Sequence, residues 1–316
     1  MGTVINCSGR SFMWDITARE AQRMGIMQLF PFDKRSSIGV FSNKKEVVGD
    51  ALINIEKEYR RCRLCPLDCR IDRTRHVPPC TVLLSPTCFL RDTLVSEERI
   101  ISPSYSVFFQ GCNLKCVYCH AQPKGFINHF GQAYDPEDAA DDASISVTAK
   151  TMSFIGGNPD NSIKAALETL FHLNRQIPVV WNTNFYVNKA SLDYLHKIAE
   201  VYTVDLKAYK WCGEMLCGRN DYFPVVSDNI KYLIGSQPES LLIIRHLMLP
   251  NHFKCCTEPI LHWIKDHAAC AKLNLMDSYF PCHSARQIQK LNRILTEREI
   301  EYAKEFANNL GLDLIK

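Results

Sequence analysis

The sequence has no apolar stretch long enough to cross a bilayer. Its longest run, residues 241–250, is interrupted by Arg245 and His246, whereas a spanning helix needs about 20 mostly apolar residues. Residues 1–10 lack the apolar core of a secretory leader, and Asn6 stands where myristoylation of Gly2 would require serine or threonine. Neither export nor membrane attachment is expected, and the expected location is the cytoplasm. Charge of one sign is also scarce. Lys+Arg 37 against Asp+Glu 34 leaves a net +3, too mild to call by itself for a nucleic-acid partner. No internal repeat or low-complexity tract is present, which removes solenoids and disordered tails from consideration. What the chain has in quantity is cysteine, 15 in 316 residues. A small secreted protein would use them as disulfides; in a chain this long without a leader, reduced thiols serving metals is the better account.

Residues 106–120 read SVFFQGCNLKCVYCH. An apolar strand-like run breaks at Gly111, and Cys112, Cys116 and Cys119 follow within one short loop. Three such thiolates can grip three corners of a [4Fe–4S] cube that normally takes four cysteines. One iron is then left open for a small molecule, as catalytic zinc sites keep a free position. Zinc, with His120 as fourth ligand, is the alternative reading of the same residues.

A second cluster, Cys62, Cys65, Cys69 and Cys80, precedes it, with Cys88 to spare. Its C-x2-C-x3-C-x10-C spacing suits four thiolates on a zinc or an auxiliary iron–sulfur cluster. Arg60, Arg61, Arg63, Arg70, Arg73 and Arg75 crowd the same stretch, most simply to offset thiolate charge. An RNA-binding knuckle would want interleaved aromatic residues for base stacking, and none are there, so nucleic acid is not the expected partner.

From residue 104 onward strand-like runs at 105–110, 151–156, 178–183, 201–206, 241–249 and 272–277 alternate with helix-like segments. This is the rhythm of a parallel sheet. The expected fold class is α/β, a partial (β/α)6 TIM-like barrel with an N-terminal Cys-rich extension. Residues 1–100 form the extension, with the knuckle at about 60–90, and 101–316 the catalytic domain. Helices are expected at 18–29 and 45–59. The long acidic connection 121–150 shows no clear helix. At the C-terminus Thr296 and Glu299 predict a capping box, and Gly311 a helix stop. In such barrels working residues cluster at the C-terminal ends of strands. Each predicted strand there ends in polar residues or glycine: Gly156-Gly157-Asn158-Pro159, then Asn182-Thr183-Asn184, Asp205-Leu206-Lys207, Arg245-His246 and Asp277-Ser278-Tyr279.

Taken in order, C-x2-C-P-x2-C at 62–69, GCNLKCVYC at 111–119, GGNP at 156–159, WNTN at 181–184, DLK at 205–207, RHLMLP at 245–250 and LMDSY at 275–279 resemble the radical S-adenosylmethionine (SAM) superfamily. Within it they are most similar to the pyruvate formate-lyase activating enzyme branch and its activase-related proteins with a cysteine knuckle. The resemblance implies that Cys112, Cys116 and Cys119 ligate the SAM cluster beside Tyr118. It also implies that Gly156 and Gly157 approach the SAM amine, that Asn182, Thr183 and Asp205 lie by its carboxylate and ribose, and that Lys207 and Arg245 are charge partners. Asn158 departs from the acidic residue usual after the glycines, and Phe185 from a common glycine.

The implied function is reductive cleavage of SAM to a 5′-deoxyadenosyl radical that abstracts hydrogen from a small molecule or peptide. Tyr279, His283, His246 and Cys217 are candidate catalytic residues, and a flavodoxin or ferredoxin is the implied electron donor. An activase installing a glycyl radical on a partner enzyme is the nearest alternative. A non-catalytic zinc-knuckle or RNA-binding protein is the alternative of a different class.

Overall fold

The apolar runs of the sequence become neighbouring strands because a parallel strand covered on both faces must be apolar throughout. A computed structural model describes residues 44–95, 98–121 and 131–315; the helix expected at 18–29 lies outside them. Among the described residues one sheet has eight strands: β1 (Thr87–Leu94), β2 (Ser104–Phe109), β3 (Gln132–Ala133), β4 (Thr151–Gly156), β5 (Val179–Thr183), β6 (Val201–Asp205), β7 (Leu241–Leu247) and β8 (Lys272–Met276). Their order is β3-β1-β2-β4-β5-β6-β7-β8. From β2 through β4 to β8 every neighbouring pair is parallel, which makes the open (β/α)6 barrel the sequence predicts. All six expected strands are there.

The crossovers are α2 (Pro136–Ile145), α3 (Ile163–His172), α4 (Lys189–Leu195), the pair α5 (Cys212–Cys217) and α6 (Tyr222–Ser236), and α7 (Glu258–His267); α1 (Lys44–Arg60) precedes the sheet and α8 (Glu297–Asn309) follows it. Helix α1 packs on α3, burying Val48, Ala51, Ile55 and Tyr59. At the core Phe109, Phe154 and Trp181 form a row, with centroids 6.1 and 5.6 Å apart. No helix among the described residues is long and apolar enough to cross a membrane.

Two elements go beyond the expectation. β1 pairs antiparallel with β2, so part of the N-terminal extension enters the sheet. The acidic connection does hold a helix, α2. Asp135 caps it by accepting from the Glu137 and Asp138 amides at 3.0 and 3.2 Å, and Pro136 opens its first turn. The capping box at Thr296 and Glu299 forms as predicted. After Gly311 (φ +76°) the tail bonds to the outer edge of β8 through Leu273 N to Asp313 O at 2.8 Å and Ile315 N to Leu273 O at 2.9 Å. That covers an otherwise open strand edge.

Candidate active site

The loop 110–119 leaves the C-terminal end of β2 and is held from several sides by backbone hydrogen bonds. Cys112 N donates to Cys80 O at 3.0 Å, Lys115 N to Cys217 O at 2.9 Å and Val117 N to Leu216 O at 3.0 Å. Ala285 N donates back to Val117 O at 2.9 Å. Cys112 and Cys116 are buried, and Cys119 is half-buried. Gly156 and Gly157 lie directly beneath the loop. Gly156 has φ +120°, and a β-carbon there would stand 2.1 Å from Phe109 O. The close approach these glycines allow is thus to the chain's own cysteine loop.

Three asparagines brace Cys112. Asn184 Nδ2 donates to Cys112 Sγ at 3.5 Å and to Asn113 Oδ1 at 2.9 Å. Asn158 Nδ2 reaches the same Asn113 oxygen at 3.2 Å, and Asn113 Nδ2 donates to Tyr186 O at 2.8 Å. Asn158, which departs from the acidic residue of the resemblance, is buried and spent on this network. Sequence reasoning gave Asn113 and Asn184 no role, although both lie inside the quoted motifs GCNLKCVYC and WNTN.

Beside the loop stands a charged group from three successive strand ends. Asp205 takes Lys207 Nζ at 2.7 Å and Arg245 Nε at 2.7 Å. Arg245 also donates to Asn182 Oδ1 and lies 3.9 Å from Glu98. Burial alone would raise the Asp205 carboxyl, but Arg245 and then Lys207 hold it down to about 2. The Cys217 thiol donates to Cys116 and holds the Cys116 pKa below the ordinary thiol value against its burial, helped by the Lys207 ammonium. Cys112 moves the other way, raised by burial and by the neighbouring Cys116. Tyr118 OH points to Lys207 O at 3.5 Å.

The remaining predicted residues are placed differently. Thr183 Oγ1 donates to Asp160 Oδ2 at 2.6 Å and accepts from Phe185 N at 2.7 Å, so it shapes the turn after β5. Asp160, also bound by Trp181 Nε1 at 2.6 Å, is a buried carboxylate the sequence did not flag. His246 is buried between Leu206 O (Nδ1, 2.7 Å) and Thr257 Oγ1 (Nε2, 3.1 Å). A carbonyl can only accept, so Nδ1 carries the proton and Nε2 accepts from the hydroxyl; desolvation lowers this imidazole to about 4. Tyr279 donates to Leu291 O at 2.7 Å and meets Tyr118 edge-on at 6.4 Å. His283 is exposed and bonded to its neighbour Ser284 at 2.8 Å. Asp277 pairs with Lys304 of α8 at 2.6 Å.

The knuckle packs against the loop. Cys62, Cys69 and Cys80 lie near enough to act on one another electrostatically, and Cys65 bonds Asn113 while burial pushes its thiol up to about 12. Of the six arginines, Arg73 is the one buried beside Cys62 and Cys80, stacked 4.0 Å over Tyr59 and donating to Val82 O at 2.8 Å and Asn161 O at 2.6 Å. Arg60, Arg63, Arg70 and Arg75 pair instead with carboxylates. No disulfide joins any of the described cysteines.

Soft thiol donors on a buried loop, one of them eased toward thiolate by the Cys217 thiol and then by the Lys207 ammonium, suit iron–sulfur ligation. The chain is 34% identical over 289 residues, 86% of its length and 83% of the other's, to an uncharacterized protein of Methanocaldococcus jannaschii. Among solved structures, Streptococcus suis SuiB bound to precursor peptide SuiA is similar with TM-score 0.46 and 15% identity, covering 64% of this chain and 46% of that one. The chain therefore spans less than half the length of SuiB. A domain of a pyruvate-formate lyase-activating enzyme from Bacteroides vulgatus gives TM-score 0.39 and 15% identity over 52% of this chain and 96% of that one. Residues 106–264, which run from β2 through the charged group and into α7, match the Radical SAM superfamily, and the chain belongs to it.

Proposed function

We propose that this chain binds a [4Fe–4S] cluster through Cys112, Cys116 and Cys119, cleaves SAM there, and takes hydrogen from a small-molecule or peptide substrate. The observation that carries the reading is the cysteine loop at the end of the first parallel strand, with Lys207 acting on both Cys116 and Cys112. When bound, the cluster and SAM supply an electron and a 5′-deoxyadenosyl radical, chemistry that belongs to the cofactors. The chain's residues set the stage. Cys217 and Lys207 favour the thiolate form of Cys116, and Asn184 steadies Cys112. Asp205, Lys207, Arg245 and Asn182 offer a charged group for the polar end of SAM. It is the resemblance that puts the backbone at Gly156 and Gly157 near its amine; in the structure the two glycines pack against Phe109 and Gly111 of the chain itself, and Thr183 keeps the Asn182 turn in shape.

The motif order and the knuckle support placement in the pyruvate formate-lyase activating enzyme branch, among activase-related proteins. Residues 1–100 serve as a metal-bearing extension to a catalytic unit at 101–316, and Cys62, Cys65, Cys69 and Cys80 hold zinc or an auxiliary cluster. A small substrate is favoured over a protein loop because the segment 279–291 is tied across the cysteine loop, through Cys282 Sγ to Tyr118 O at 3.2 Å and Ala285 N to Val117 O at 2.9 Å. A flavodoxin or ferredoxin is the electron donor in this reading.

Anaerobic reconstitution tests it. Brown protein with about four irons per cubane and 5′-deoxyadenosine formed from SAM plus dithionite is the expected result. Colourless protein that binds only zinc would overturn it in favour of a binding module.

A further inference from the structure

A second convergence of metal-binding side chains lies behind the cysteine loop, built from residues that none of the motifs above contain as a set. Donor atoms of Cys212, His252, Cys255 and Cys256 all lie within 4.8 Å of one another. Cys212, His252 and Cys256 are buried and Cys255 is half-buried. His252 Nδ1 stands 3.2 Å from Cys255 Sγ, and Cys212 Sγ lies 3.7 Å from Cys255 O.

The local fold explains the convergence. Asn251 (φ +65°) turns the chain after β7, and residues Phe253–Thr257 form a widened helical turn. His252, Cys255 and Cys256 stand at i, i+3 and i+4, the spacing that puts three side chains on one helical face. Cys256 N and Thr257 N both bond to His252 O, at 2.9 and 3.2 Å, and insertions of this kind recur at functional sites. Cys212, the first residue of α5, faces them from the neighbouring crossover. His252 Nδ1 is the nitrogen turned to the thiols, while its Nε2 is buried with no hydrogen-bond partner, an unusual state for a polar atom that costs free energy.

We propose that Cys212, His252, Cys255 and Cys256 form a closed structural zinc site. With Zn–S bonds near 2.3 Å and Zn–N near 2.0 Å, two ligands of one ion can be at most about 4.6 Å apart. The observed gathering fits a single ion after small adjustments, and it is tighter than a polynuclear cluster would want. Three cysteines and a histidine are a usual structural zinc set, and soft thiolates select such ions over hard ones. On binding, the three thiols release their protons to solvent and the neutral imidazole donates a lone pair.

The position gives the ion a purpose. Helix α5 runs from Cys212 to Cys217, whose carbonyl holds Lys115 N and whose thiol bonds Cys116. Zinc would clamp the turn after β7 to the helix that backs the proposed cluster loop. The site does not depend on the function proposed above, since a zinc-only binding protein could carry it too.

The test uses the full chain purified without oxygen. Zinc and iron per chain are measured for the wild type, for the Cys255→Ser/Cys256→Ser double variant and for Cys116→Ala. The double variant is expected to lose about one zinc per chain while its iron stays, and Cys116→Ala to keep that zinc. Should the double variant fail to fold, the wild type is treated with iodoacetamide before and after a zinc chelator and again after zinc is restored, with each peptide mapped. Cys255 is expected to be labelled several-fold faster only in the stripped protein. An unchanged zinc content in the folded variant overturns the proposal. So does loss of iron in place of zinc, a disulfide from Cys212 to Cys255 or Cys256 in the oxygen-free protein, or labelling of Cys255 that ignores zinc.

Discussion

A β-carbon on Gly157 would stand 2.2 Å from the carbonyl oxygen of Gly111. That is contact between two backbones, with no flexible side chain able to give way, so the strand end at 156–157 acts as the floor of the cysteine loop. Gly157 N also donates to Phe109 O at 2.9 Å, continuing the β2–β4 ladder past its last pair.

Gly157→Ala should therefore displace the loop at a cost of about 2 kcal/mol, the usual scale for overpacking. Iron per chain and deoxyadenosine formation should both fall, with helical and sheet content kept. Full iron loading with undiminished turnover in this variant would mean the floor is not needed.

Cys116 and Cys217 share a hydrogen bond but should differ in consequence. Cys116→Ala is expected to abolish SAM cleavage while circular dichroism stays that of the wild type. Cys217→Ala removes only the donor that eases Cys116 toward thiolate, so cleavage should persist at a reduced rate. Product quantification for both variants decides it, and cleavage by Cys116→Ala would remove that thiol from the mechanism.

In the knuckle, Cys65→Ala should lower the metal content without necessarily ending SAM cleavage. Elemental analysis is the check. A metal count equal to the wild type's would leave the knuckle a set of buried thiols.

The Asp205 carboxyl, held to about 2 between Arg245 and Lys207, makes stability depend on pH. Its folded value lies below its unfolded one, so the contribution is fully present above about pH 4 and lost as pH falls toward 2. At about 1.4 kcal/mol per unit it amounts to about 2 kcal/mol. Asp205→Asn should cost about 2 kcal/mol near neutral pH, because the half-buried Lys207 and Arg245 lose the carboxylate between them. Denaturant midpoints of both proteins should converge as the pH is lowered through that window, and a constant gap would contradict the assignment.

Phe185 is buried at φ +55°, where the resembling branch commonly has glycine. Packing keeps it there, edge-on to Tyr202 at 6.1 Å. Phe185→Ala should cost about 3–5 kcal/mol for the cavity and keep the left-handed strain. Phe185→Gly should cost about 1 kcal/mol less, because glycine adopts that φ freely. Unfolding free energies of the two variants are the measure, and the ordinary order, alanine above glycine, would show the strain to be absent.

How much of this was legible in the sequence follows from where each signal resides. The six parallel strands could be read because burial on both faces forces apolar runs such as TMSFIG at 151–156. The α8 cap could be read because Thr296 and Glu299 are three residues apart. β1 could not, since a strand of mostly half-buried residues, flanked on its outer side by only the two residues of β3, has neither a run nor a clean alternation. α2 hid because its buried face is made of alanines, Ala139, Ala140 and Ala143, although Asp135-Pro136 was a start signal. The asparagine brace, the ties that hold His246 and Tyr279, and the Cys212–His252–Cys255–Cys256 convergence needed the tertiary structure. Their partners come from different crossovers, and one-dimensional spacing carries no record of which loops meet at a barrel mouth. By itself the sequence determined the strands and the three-cysteine loop, because their chemistry is local; only the fold decided which polar residues surround that loop, because that depends on strand order.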